Sequence, residues 1–137
     1  MNWINFLTQD DVPLFSSKTT LQEALDNTVE TRHKTGIFVE NGKVIGIITE
    51  RDIIKSFISG VPSNKAAIDY GVRNVIAIRQ SRSVEYALGI VMSKNLKRAP
   101  VVDDNGGYVG LLTHDTLLGY FEIKNDGVKQ KAINLIQ

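Results

Sequence analysis

Apolar and polar positions along the chain change period several times, and each change marks an element. Val12-Pro13-Leu14-Phe15 is a short apolar stretch, followed by Leu21, Ala24, Leu25 and Val29 at helical spacing behind Thr19 or Thr20 as a cap. Ile37-Phe38-Val39 and Val44 to Ile48 flank Asn41-Gly42, a strong hairpin signal. A helix from Glu50 to about Ile58 then runs into the stop signals Gly60 and Pro62. The predicted order is strand, helix, strand, strand, helix.

The order then recurs. Val75 to Ile78 reads as a strand, Val84 to Asn95 as a helix, Val101-Val102 and Tyr108 to Leu112 as a hairpin about Gly106-Gly107, and His114 to about Glu122 as a helix. Val44 to Phe57 realigns with Tyr108 to Phe121 without a gap, Gly46 falling on Gly110 at an offset of 110 − 46 = 64. Upstream the offset is 63, as Thr20 to Leu25 against Ser83 to Leu88 shows, so one residue is inserted at the second hairpin turn. Two copies of one unit, neither able to bury its apolar face alone, are expected to pack together, and function is expected between them.

The expected divisions are an N-terminal segment at 1–8, repeat one at 9–60, a linker at 61–71, repeat two at 72–123 and a tail at 124–137. Trp3-Ile4 and Phe6-Leu7 suggest a short helix on the module, Lys65 to Tyr70 a helical turn in the linker, and Val128 to Ile136 an amphipathic helix. Met92 and Tyr86 read as core positions.

Composition narrows the partners. A net charge of +1, with Lys and Arg dispersed, argues against nucleic acid. No cysteine is present, which excludes disulfides and thiolate chemistry. No apolar run approaches the ~20 residues of a membrane helix, and no signal pattern opens the chain, so a soluble, cytoplasmic protein without membrane contact is expected. His33 and His114 are isolated, and read as exposed or capping residues instead of metal ligands. No catalytic triad, glycine-rich phosphate loop or metal cluster is recognisable, so no enzymatic activity and no obligatory cofactor are expected.

Gly-apolar-apolar-Thr-x-x-Asp after a hairpin, at Gly46 to Asp52, with an apolar-Val-Val-Asp strand at Pro100 to Asp103, resembles the cystathionine β-synthase (CBS) domain. The tandem arrangement resembles a CBS pair, or Bateman module, over roughly residues 9 to 123. The resemblance implies an α+β fold of two β-α-β-β-α repeats related by pseudo-twofold symmetry, acting as a regulatory module. It implies clefts for AMP, ADP, ATP or S-adenosylmethionine, and passage of binding to a fused or separate effector. It implies that Asp52 holds the ribose hydroxyls with Thr49 beside it. Adenine would then lie against the backbone around Gly71, Val75 and Ile76, and Lys34 is the best local cation for phosphate, with Arg51 and Arg98 behind it. From spacing alone, Thr49 and Asp52 read equally as a helix cap, and both readings stand.

In the second copy Thr116 stands where Asp52 does, and Asp115 is one position early, about 100° around a helix. The clefts are therefore expected to differ, the weaker one drawing on Thr113, Thr116, Asp115, Lys97 and Arg98. An alternative is a CBS pair without ligand that acts as a dimerisation or docking scaffold. The family also associates through its helices. Ile53, Ile54, Phe57 and Ile58 in one copy, and Leu117, Leu118, Tyr120 and Phe121 in the other, exceed one core stripe, which suggests a homodimer.

Overall fold

The computed structural model describes residues 2–7 and 11–124. The first repeat comprises β1 (Leu14–Phe15), α1 (Leu21–Thr28), β2 (Thr35–Glu40), β3 (Lys43–Thr49) and α2 (Glu50–Ile58). The second comprises β4 (Ile78–Arg79), α3 (Val84–Ser93), β5 (Arg98–Val102), β6 (Tyr108–Thr113) and α4 (His114–Lys124). Each forms a three-stranded sheet with its second strand in the centre, β1-β2-β3 and β4-β5-β6. The outer pairs β1/β2 and β4/β5 are parallel and the hairpins antiparallel, and the ladder shifts at Phe38/Val39 and again at the matching Val101/Val102.

The inserted residue is visible in the turns. Asn41 and Gly42 both take positive φ, 52° and 75°, the two-residue hairpin geometry that Asn-Gly favours. In the second hairpin Asp103 N donates to Gly107 O at 2.9 Å, closing a three-residue loop with Gly106 at φ 84°. Asp103 Oδ1 accepts from the amides of Asn105 and Gly107, both at 2.9 Å, so the longer loop carries its own hydrogen bonds.

The structure decides one alternative and departs from the sequence reading in several details. Thr20, not Thr19, caps α1, in a reciprocal box with Glu23. The helix ends at Thr28, which fills the core position while Val29 is turned partly to solvent. Thr28 satisfies its hydroxyl on Ala24 O at 2.8 Å, so a polar residue is tolerated there. Helix α3 stops at Ser93 because Asn95 adopts φ 52° just past its end, a conformation asparagine tolerates. Strand β4 is confined to Ile78–Arg79, leaving Val75 and Ile76 outside the ladder. Met92 and Tyr86 are exposed and not in the core, Tyr86 lying 4.5 Å beneath the Arg82 guanidinium. The helix expected over Val128 to Ile136 lies outside the described residues.

The segment preceding each repeat packs on the other one. Trp3–Phe6 forms a 3₁₀ turn whose Trp3 is buried with Ile78, Val84 and Leu117 of the second repeat. Trp3 Nε1 donates to Arg82 O at 3.0 Å, and Phe6 meets Tyr120 edge-on. The linker's 3₁₀ turn, Ala67–Asp69, buries Ala67 and Ile68 with Leu21, Phe38 and Ile53 of the first repeat. A third cluster, Val12, Ile37, Ile47 and Leu111 with Val75 and Tyr108 against it, joins the repeats. Of the surplus helix residues, Ile53 and Leu117 belong to the cores, whereas Ile54, Ile58 and Leu118 are exposed.

Candidate functional site

Strand β3 hands directly into α2 at Thr49, whose extended backbone ends the β-branched run and whose side chain starts the helix. Thr49 Oγ1 accepts from Asp52 N at 3.3 Å, and Asp52 Oδ2 accepts from Thr49 N at 2.9 Å and from Thr49 Oγ1 at 3.1 Å. The capping box is complete and uses one carboxylate oxygen; among the described residues Oδ1 has no hydrogen-bond partner. The cap reading therefore holds, and it leaves acceptor capacity on the half-buried Asp52.

Asp52 and Thr49 line a cavity of about 300 Å³ between the repeats. Ile47 stands beside them, and Val72, Val75, Ile76 and Leu96 supply the opposite, apolar wall. The two sides are fixed by backbone: Ile47 N donates to Val72 O at 3.0 Å, and Val72 N to Ile47 O at 2.8 Å. Gly71 does not line this cavity. A Cβ there would come within 2.4 Å of Ile47 O, so Gly71 permits the close approach of strand and linker.

The slot opens into a basin of about 820 Å³ over the start of α2. Arg32, Lys34, Arg51, Lys55, Lys97 and Arg98 line the basin, with Glu50 the carboxylate among them. Lys34 takes φ 49°, and its Nζ donates to Val29 O at 2.5 Å and lies 3.5 Å from Glu50 Oε2. Thr49, Asn95, Lys97 and Arg98 line slot and basin alike, so the two are one continuous cleft. The sequence reading assigned Arg98 to both clefts and Lys97 to the other cleft alone. The structure brings both to the Asp52 side, Lys97 being the addition, because the loop after α3 crosses the junction of the repeats.

The second copy keeps the cap without the acid. Thr116 Oγ1 accepts from Thr113 N at 3.1 Å, and Thr116 N donates to Thr113 Oγ1 at 3.3 Å, with both side chains buried. Asp115 is exposed and pairs with Arg32 of the first repeat at 2.9 Å. His33, Lys97, Arg98, Thr113, His114 and Asp115 line a cavity of about 280 Å³; Thr116 does not line it. His33 is half-buried, and burial together with the adjacent Arg32 guanidinium lowers its pKa below the ordinary histidine value. His114 Nε2 lies 3.1 Å from Leu96 O. Among the described residues no cluster of three or more His, Cys, Asp or Glu is placed to hold a metal, and no helix is long and apolar enough to cross a membrane.

Ile47, Val72, Asn74, Asn95 and Leu96 line the slot without having been singled out from the sequence. Their signal was indirect. Asn95 follows a helix at the spot where a left-handed residue is common, and the others are apolar or polar residues of no distinctive spacing.

Residues 6–59 and 67–123 each match the model of the CBS domain. The chain belongs to the CBS-domain family. Both copies of the CBS domain are present, in the tandem order the repeat implied. Inosine-5'-monophosphate dehydrogenase of Nitrosopumilus maritimus is 29% identical over 123 residues, covering 88% of this chain and 25% of that protein. The CBS chain thus spans about a quarter of that relative's length. Among solved structures, the CBS domain pair of protein MJ0100, bound to 5-methylthioadenosine and S-adenosyl-L-methionine, superposes with a TM-score of 0.74 at 25% identity, covering 90% of this chain and 98% of that one. CBSX2 of Arabidopsis thaliana, in complex with AMP, superposes with a TM-score of 0.73 at 21% identity over the same shares.

Proposed function

We propose that this CBS pair is a non-catalytic, cytoplasmic sensor that binds an adenosine nucleotide or related adenosyl ligand in the Asp52 cleft and passes occupancy to a fused or associated effector. One observation carries the reading: an acid with a spare oxygen, an apolar wall from the opposite repeat and a cationic basin line one continuous cleft. Asp52 Oδ1 would accept from ribose hydroxyls, giving charge-assisted bonds while Oδ2 keeps the cap. Val75 and Ile76 offer an apolar face for adenine. Thr49 lies beside the ribose, and the α2 amino terminus with Lys34 and Arg51 favours phosphate.

AMP, ADP, ATP and S-adenosylmethionine are the candidate ligands, in keeping with the compounds held by the similar CBS pairs. Calorimetric titration of each into the wild-type chain and into Asp52→Ala tests the proposal. Saturable binding that Asp52→Ala weakens supports it; no heat with any of the four at millimolar concentration, from folded protein, refutes it in favour of a scaffold. Dimerisation through the exposed Ile54, Ile58 and Leu118 is part of the same proposal. Coupling to an effector requires that the ligand prefer one arrangement of the repeats over another.

A further inference from the structure

We infer that the cleft selects a nucleoside polyphosphate over a nucleoside monophosphate or a cationic sulfonium nucleoside. This rests on reading the slot as a nucleoside site and adds what the rest of the cleft takes. The basin is larger than the slot, about 820 Å³ against about 300 Å³, so a ligand confined to nucleoside and a single phosphate leaves most of the cleft to water.

Charge points the same way. Of the six cations around the basin, Lys34 is engaged by Glu50 and by Val29 O, and Arg32 by Asp115. The side chains of Arg51, Lys55, Lys97 and Arg98 have no ion pair or hydrogen bond among the described residues. Four unneutralised cations converging on one concave surface repel each other, and an anion placed among them relieves the repulsion. A phosphate monoester brings about two negative charges near neutral pH, and each further phosphoryl group brings about one more. A triphosphate therefore matches four free cations, whereas a monophosphate leaves about half of them unmatched. S-adenosylmethionine carries two positive groups against one carboxylate, so its net charge opposes the basin.

The cations come from both repeats. Arg51 and Lys55 are one helical turn apart on α2, while Lys97 and Arg98 follow α3. A phosphate chain running out of the slot would thus be gripped from two sides, with Arg51 and Lys55 as residues that set ligand length.

Calorimetry on the wild-type chain with ATP, AMP, S-adenosylmethionine and inorganic tripolyphosphate, without added divalent cation, tests this. ATP should bind about tenfold or more tighter than AMP, S-adenosylmethionine more weakly than AMP, and tripolyphosphate more weakly than ATP. In the Arg51→Ala/Lys55→Ala double variant, which alters only exposed side chains, the ATP-to-AMP ratio should fall to near unity at a melting temperature no lower than that of wild type. AMP or S-adenosylmethionine binding as tightly as ATP overturns the inference and leaves the nucleoside reading standing. Tripolyphosphate binding as tightly as ATP, or a ratio that survives the double variant, also overturns it. Failure of all four to bind removes the nucleoside reading itself.

Discussion

Asp52 and Thr116 hold the same place in the two repeats and make the same bond: Asp52 Oδ2 accepts from Thr49 N at 2.9 Å, and Thr116 Oγ1 from Thr113 N at 3.1 Å. A hydroxyl is sufficient for the cap, so capping alone does not require an acid at Asp52. The carboxylate adds a second acceptor and a negative charge, both located at an inter-repeat cavity.

Asp52→Thr copies the second repeat's solution into the first. It should keep stability within about 0.5 kcal/mol of wild type, because the cap is retained, while weakening nucleotide binding about tenfold or more. Asp52→Ala should lose both, with a stability cost of about 1 kcal/mol. Urea denaturation and calorimetry on both variants separate the two roles. Equal nucleotide affinity in wild type and Asp52→Thr would show that the acid serves the helix alone.

Arg32 and Asp115 form an exposed pair across the repeats, with side chains 72% and 58% accessible. Such a pair is worth at most a few tenths of a kcal/mol. Asp115→Ala should therefore leave the melting temperature nearly unchanged and strengthen binding of an anionic nucleotide by releasing Arg32. A marked loss of affinity in Asp115→Ala would mean that Asp115, not Asp52, grips the ligand.

Tyr108 places a hydroxyl against the inter-repeat cluster, with no hydrogen-bond partner among the described residues, and burial pushes its pKa up to about 12 from an ordinary value of 10.0. Tyr108→Phe should be neutral or stabilising by up to about 1 kcal/mol. The raised value is that of an acid kept neutral in the fold, so its contribution is full below pH 10.0 and is lost as the pH climbs from there towards about 12. Over that window wild type should lose stability more steeply than Tyr108→Phe, measured by chemical denaturation at each pH.

Trp3 ties the amino terminus to the second repeat and is the chain's single tryptophan, so its fluorescence reports that contact alone. Emission should be blue-shifted in the native protein and move red in step with global unfolding. Trp3→Ala should destabilise the protein by about 3 kcal/mol through the cavity it leaves. An early red shift before the main transition would show the segment to be a loosely held appendage.

The repeat order, both hairpins and the caps were legible in the sequence because they depend on local signals: Asn41-Gly42, Thr49 three residues before Asp52, and the apolar runs of β3 and β6 that realign at a fixed offset. The exchange of leading segments was not, since nothing near Trp3 or Ala67 encodes which repeat they will cover. Lys97 was assigned by alignment to one cleft, but a loop at the junction of two repeats faces both. Val29 and Met92 have helical spacing that fits a core, yet the first lies past the end of α1 and the second is exposed. Gly71 was singled out for a ligand contact and instead serves backbone approach. In each case tertiary geometry decided what periodicity could not.

On the proposed function the clefts are asymmetric: the one that retains the acid is expected to bind nucleotide, and its counterpart, capped by Thr116, is not. Calorimetric stoichiometry with ATP on wild-type protein of known concentration tests this most directly. One nucleotide per chain, bound about tenfold or more weakly in Asp52→Thr, is the predicted result. Two per chain, or one per chain at unchanged affinity in Asp52→Thr, would contradict it.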